Sequence, residues 1–168
     1  MRTRISIIGV AIAVTVVVAV LVRDGGPDGP QLVVGRVDEF ASGSITAMEL
    51  DVLLATPVPR VSEHADNDRA QVPIFIVNHP EAGLLALYAP DPHLGCRVLP
   101  ASEFPSGLYG QPLPREVAFV NPCHGEKYDL GGGYLAGPSP RGLDRFAVSA
   151  VGGEVVVDVS AFEYGPDR

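Results

Sequence analysis

The segments Asp91-Pro92-His93-Leu94-Gly95-Cys96 and Asn121-Pro122-Cys123-His124-Gly125 each set a histidine and a cysteine in a loop beside a β-type run. A single loop histidine is weak evidence of a site, because most are solvated. Two matched loops are a more specific signal. Short runs of β-branched and aromatic residues flank them: Leu32–Val37, Ser44–Leu54, Val72–Asn78, Gly83–Tyr88, Glu116–Val120, Arg145–Ala150 and Glu154–Val159. Gly152-Gly153 between the last two is a hairpin signal. A turn at His79-Pro80-Glu81 separates the third and fourth runs. After Val22 there is no helical period. The pattern predicts a small antiparallel all-β domain, a sandwich or barrel. Ser62–Gln71, with His64, reads as a polar loop, and the proline-rich stretch Leu99–Pro114 as an irregular one.

Composition narrows the classes. The chain has 168 residues, enough for one small domain and an anchor, with 19 Gly and 16 Pro favouring tight turns. Its net charge of -8 repels phosphate backbones and argues against nucleic-acid binding. The two cysteines cannot build a four-thiolate metal site, but they can form one disulfide in an oxidising compartment. Arg2 and Arg4 precede the uncharged stretch Ile5–Val22. At about 1.5 Å per residue this gives roughly 27 Å of helix, close to the bilayer hydrocarbon thickness. The expected organisation is a cytoplasmic N-terminus at 1–4, a transmembrane anchor at 5–22 and a flexible Gly/Pro/Asp tether at 23–31. A β domain at 32–160 and a C-terminal tail at 161–168 follow. Basic residues before the apolar stretch place the domain outside the cytoplasm of a single-pass cell-membrane protein. A cleaved signal peptide is the competing reading. It is disfavoured by the length of the segment and by the lack of a small-x-small site before Arg23.

The two loops resemble those of the Rieske 2Fe–2S family, whose pattern is Cys-x-His-Leu-Gly-Cys followed by Cys-Pro-Cys-His-Gly-Ser. The resemblance runs from about residue 33 to 160. Val34–Leu50 is similar to the opening strands, Gly137–Phe146 (with Pro138 and Pro140) to the proline loop, and the final hairpin also fits. The N-terminal anchor is similar to that of the Rieske subunits of quinol-oxidising cytochrome bc complexes. The implied fold is a small antiparallel Rieske-like β sandwich with a two-loop subdomain, preceded by one transmembrane helix. The family's four cluster-ligand positions fall on Asp91, His93, Asn121 and His124, and its loop-clipping disulfide on Cys96 and Cys123. The family's serine, a hydrogen-bond donor to the cluster, corresponds to Glu126. Its tyrosine corresponds to Tyr128.

Both cysteine ligands are therefore replaced. Asp91 and Asn121 would offer the inner iron a hard carboxylate and a neutral amide where the cluster depends on anionic thiolates. A 2Fe–2S cluster is implied by the resemblance but disfavoured by these residues. Two uses of the site remain open. In one, Asp91 and Glu126 accept hydrogen bonds from His93 and His124. In the other, His93 and His124 with Asp91, or Glu126 in its place, hold a mononuclear metal. The leading functional expectation is a non-catalytic, membrane-tethered subunit that docks on or helps assemble an electron-transfer complex. An electron-transfer subunit of an oxidoreductase with unusual ligands, and a metal-binding module, are the alternatives.

Overall fold

A computed structural model of the chain describes residues 22–23, 31–53 and 69–168. The strands in chain order are β1 (Val22–Arg23), β2 (Gln31–Arg36), β3 (Ile45–Leu53), β4 (Arg69–His79), β5 (Gly83–Tyr88), β6 (Leu99–Pro100), β7 (Phe119–Val120), β8 (Lys127–Tyr128), β9 (Tyr134–Ala136), β10 (Arg145–Val151) and β11 (Glu154–Glu163). They form an antiparallel seven-stranded sheet, ordered β1-β2-β11-β10-β5-β4-β3, and a four-stranded sheet, ordered β6-β7-β8-β9. The helical elements among the described residues are short 3-10 turns at Val37–Glu39 and Ala101–Glu103. The all-β expectation holds.

The alternation of side chains explains how the two sheets meet. In β4, Ala70, Val72, Ile74 and Ile76 join Met48, Leu50 and Val52 of β3 in the main core, with Leu32, Val34, Val155 and Val157 from the β2–β11 side. The intervening Phe75 and Val77 point to the opposite face and pack with Val98, Phe119, Tyr128 and Leu143. Strand β5 divides likewise, with Ala86 and Tyr88 on one face, Leu87 on the other. A strand buried on both faces needs a continuous apolar run, and Val72–Val77 supplies it. The Phe75 and Phe119 rings, with centroids 4.9 Å apart, lie at the junction. The small sheet is thus seated on the face of β4–β5 and carries both histidine-containing loops.

The β10–β11 hairpin turns at Gly152 (φ 61°) and Gly153 (φ 85°). Positive φ at both central residues is what a type I′ turn requires, so the sequence signal and the backbone agree.

Several boundaries differ from expectation; the run expected over Glu116–Val120, for one, is strand only at Phe119–Val120. Arg69–Gln71, read as part of a polar loop, open β4, because Asp51, Val52 and Leu53 of β3 extend far enough to pair with them. The tail expected from residue 161 begins as strand: β11 runs through Glu163, and Phe162 pairs with Phe146. Beyond it, Gly142 donates to the Pro166 carbonyl. Val22 and Arg23, expected at the junction of helix and tether, form β1 against Leu32 and Gln31, covering the outer edge of β2. The rest of the expected anchor, residues 24–30 of the tether, and His64 lie outside the described residues. Among the described residues no helix is long and apolar enough to cross a membrane.

Candidate functional site: two matched loops bridged twice

The loops Asp91–Cys96 and Asn121–Glu126 repeat one backbone design. In the first, the Asp91 amide donates to the Cys96 carbonyl (3.0 Å) and the Gly95 amide to the Asp91 carbonyl (3.2 Å). In the second, the Asn121 amide donates to the Glu126 carbonyl and the Gly125 amide to the Asn121 carbonyl, both at 2.9 Å. Gly95 and Gly125 sit at φ 76° and 81°, which is why each loop has glycine at its fifth position. The first side chain of each loop then caps its own turn. Asp91 Oδ1 accepts from the Leu94 and Cys96 amides, each at 3.1 Å, and Asn121 Oδ1 from the Cys123 amide at 2.7 Å and the His124 amide at 3.4 Å.

This equivalence pairs residues across the loops. His93 corresponds to Cys123, the third position, and Cys96 to Glu126, the sixth. Cys96 and Cys123 form the expected disulfide, with a Cα–Cα distance of 6.6 Å. The symmetry-related pair, Glu126 and His93, also meets: His93 Nδ1 lies 3.0 Å from Glu126 Oε1, a hydrogen bond that becomes an ion pair when the imidazole is protonated. Between the two bridges, Asn121 Nδ2 donates to Asp91 Oδ2 at 2.7 Å. The sixth-position residue thus bridges the loops covalently on one side and by a partly buried polar contact on the other.

Burial separates the roles. Asp91, Asn121 and Glu126 are fully buried, whereas the His93 side chain is 31 % exposed and His124 is exposed. The histidine rings meet edge to face, 5.4 Å between centroids. Donor atoms of His93, His124 and Glu126 lie within 4.8 Å of one another. Asp91 is not in that group. Of the two expected carboxylate partners for the histidines, Glu126 meets His93, while both Asp91 oxygens are engaged by the loop amides and Asn121.

The donor set does not fit a 2Fe–2S cluster. Asn121 has one lone-pair-bearing side-chain atom, Oδ1, and it is turned to its own loop amides. The atom turned inward is an amide NH₂, which has no lone pair to give to iron. Asp91 is hard and already hydrogen-bonded. With no thiolate on one side and a buried carboxylate at Glu126, the residues lack the soft anionic ligands the cluster requires.

The proline loop packs directly on this centre. A Cβ at Gly137 (φ 105°) would come within 2.6 Å of Glu126 Cα, so glycine is the residue that lets the loop approach. Pro138 and Pro140 are exposed, while Ser139 between them is buried and donates to the Arg141 carbonyl at 2.8 Å. Sequence reasoning missed three supports. Arg141 holds the buried Asp144 with two hydrogen bonds, 2.8 and 2.9 Å, and Asp144 Oδ1 also accepts from the Gly165 amide at 2.9 Å. Tyr109 lies against Gly125 and donates its hydroxyl to the Pro122 carbonyl. Arg97 reaches from the first loop to Glu49 on β3. All three join residues distant in sequence or cover a loop from outside. Alternation patterns carry no trace of such contacts.

Tyr128 is fully buried under the proline loop. Burial pushes its hydroxyl well above the ordinary tyrosine value. The Asp91, Glu126 and Asp144 carboxylates push the same way, and Ser139 opposes them. Folding therefore favours the neutral phenol. The stabilisation is complete below about pH 10 and is lost as pH rises through the folded value. Alkaline absorbance titration is expected to leave one tyrosine un-ionised until the protein unfolds. The Tyr128→Phe variant should show no such late step.

No family model matches the chain, and no curated protein matches it. Solved structures do. A quaternary ammonium Rieske monooxygenase, CntA, determined with an inhibitor, aligns with a TM-score of 0.51 at 15% identity, covering 79% of this chain and 32% of that one. The chain spans about a third of that enzyme's length. The soluble domain of Rieske protein II (soxF) from Sulfolobus acidocaldarius aligns with a TM-score of 0.43 at 24% identity, covering 80% of each chain. The plasma membrane Rieske protein PetC3 from Synechocystis PCC 6803 aligns with a TM-score of 0.40 at 24% identity, covering 65% of this chain and 84% of that one. With the paired loops and the disulfide, the fold is of the Rieske type.

Proposed function

We propose that the chain is a cluster-free Rieske-type domain, tethered by its apolar N-terminal stretch to the outer face of a cell membrane, that docks on an electron-transfer complex without carrying electrons itself. The observation that supports this reading is the Asp91–Asn121 hydrogen bond. It joins the two positions where the resemblance expects thiolates, and it closes the space between the loops with a satisfied polar pair. The loops then hold their shape without a metal, through this bond and the disulfide. The surface they present is apolar at two points: Leu94 is 67% exposed at the tip of the first loop and Tyr109 66% exposed beside the second. Exposed apolar side chains on pinned loops suit protein contact. The role assigned is therefore docking or assembly.

Iron and acid-labile sulfide analysis of natively purified protein tests the reading, with EPR after reduction and mass spectrometry of associated subunits. The expected result is no stoichiometric sulfide, no cluster signal, and co-purifying membrane subunits. A cluster signal in stoichiometric amount would instead establish an electron carrier with unusual ligands.

A further inference from the structure

We propose that His93, His124 and Glu126 form a binding site for one divalent transition-metal ion of borderline softness, such as zinc or ferrous iron. The inference rests on the cluster-free reading, because a cluster would occupy the same two histidines.

Glu126 carries the argument. Its side chain is fully buried, and Oε2 has no hydrogen-bond partner among the described residues, while Oε1 faces His93. A buried carboxylate oxygen without a donor is costly, and native structures rarely tolerate one. The backbone around Glu126 is held in place: its carbonyl accepts from the Asn121 amide, and Gly137 packs closely enough to leave no room for a Cβ. A cation beside Glu126 relieves this cost, and two imidazoles stand ready to share it.

The geometry suits one ion. First-row ions bind imidazole nitrogen and carboxylate oxygen at about 2.0–2.2 Å, so neighbouring donors on one ion lie roughly 3–4 Å apart. His93 Nδ1 and Glu126 Oε1 are already 3.0 Å apart, and all three donors fall within 4.8 Å. The remaining adjustment falls to His124, whose ring is exposed. Two imidazoles and one carboxylate select borderline ions over calcium or magnesium, which prefer all-oxygen sites. Both cysteines are spent in the disulfide, so no thiolate competes for the ion. The loops bearing the ligands are pinned by the disulfide and by Asp91–Asn121, so little ordering cost attends binding. Because His93 and His124 face solvent, the ion keeps open positions for water or an external ligand.

The test uses the full-length, disulfide-intact protein in detergent, stripped with chelator and titrated with Co²⁺ while visible ligand-field bands are followed, then with Zn²⁺ in competition. One ion per chain is expected, with Zn²⁺ displacing Co²⁺. Glu126→Gln and His124→Ala are each expected to weaken binding at least ~10-fold, the loss typical even of groups that only support a ligand. His79→Ala, at the end of β4, should leave it unchanged. Ring signals of the wild-type protein give a readout independent of the variants' folding: His93 and His124 should shift with Zn²⁺ and His79 should not. No saturable binding, or binding that a folded Glu126→Gln variant retains in full, overturns the proposal. Acid-labile sulfide in the starting material would overturn the cluster-free reading instead, so the two failures are distinguishable.

Discussion

Removing the Cys96–Cys123 bridge, by reduction or by Cys96→Ser, is expected to cost about 3–4 kcal/mol of folding stability. The bridge spans a sequence separation of 27 residues. In the chain-entropy account, a closed loop of that size restrains the unfolded chain by this amount at room temperature. The native state here has reason to show the full effect. The loops it joins belong to a small sheet whose strands β6, β7 and β8 are two residues long, so backbone pairing contributes little to holding them together. The Asp91–Asn121 contact depends on the same approach of the two loops. Urea unfolding of wild type and Cys96→Ser, each monitored by circular dichroism, checks the value. A loss below about 1 kcal/mol would mean that the β4–β5 face alone holds the small sheet in place.

Asn121→Asp is expected to destabilise the fold by about 3–5 kcal/mol at neutral pH, the range for leaving a buried charge uncompensated. The substitution keeps an oxygen for the Cys123 and His124 amides, so the loop's own turn survives. What changes is the atom facing Asp91 Oδ2 at 2.7 Å. A hydrogen-bond donor becomes a second carboxylate, in a site fully closed to water. Two carboxyl groups at that distance cannot both ionise, and the folded variant must retain a shared proton to higher pH than the unfolded chain does. The sign follows: with the folded-state pKa raised, the pair's stabilisation is present below about pH 4 and lost as pH rises through the folded value. The variant should therefore approach wild-type stability near pH 4 and fall away from it toward pH 8. Denaturant curves at the two pH values measure this, and a deficit independent of pH would point to lost packing in place of charge.

Much of the fold was legible from local pattern. The run Val72–Val77 reads as strand because it is apolar throughout and mostly β-branched, and Gly152-Gly153 as a turn because both positions need positive φ. Strand ends were less legible. Arg69–Gln71 look like loop, being polar, yet pairing with Asp51–Leu53 extends β4 over them; the Arg69–Asp51 ion pair on that edge is invisible to any alternation rule. The site was legible as a set of positions: Asp91, His93, Cys96, Asn121, Cys123, His124 and Glu126 all lie in the paired loops. Their partners were not. Asp91 and Glu126 are both acidic residues near histidines in sequence, and composition could not distinguish them.

By itself the sequence determined the β class, the two glycine-bent loops, their joining cysteines and the absence of thiolates at Asp91 and Asn121. These follow from residue identity and short-range backbone chemistry. Tertiary structure alone decided that Glu126 is the carboxylate that meets His93. The loops meet about a local pseudo-twofold relation, so the sixth residue of each faces the third of the other. That relation sets Cys96 on Cys123 and Glu126 on His93, and leaves Asp91 facing Asn121 between them. Such a pairing depends on how two segments some thirty residues apart are seated on the β4–β5 face, through Phe75, Phe119 and Leu143. Only the packed core fixes that seating.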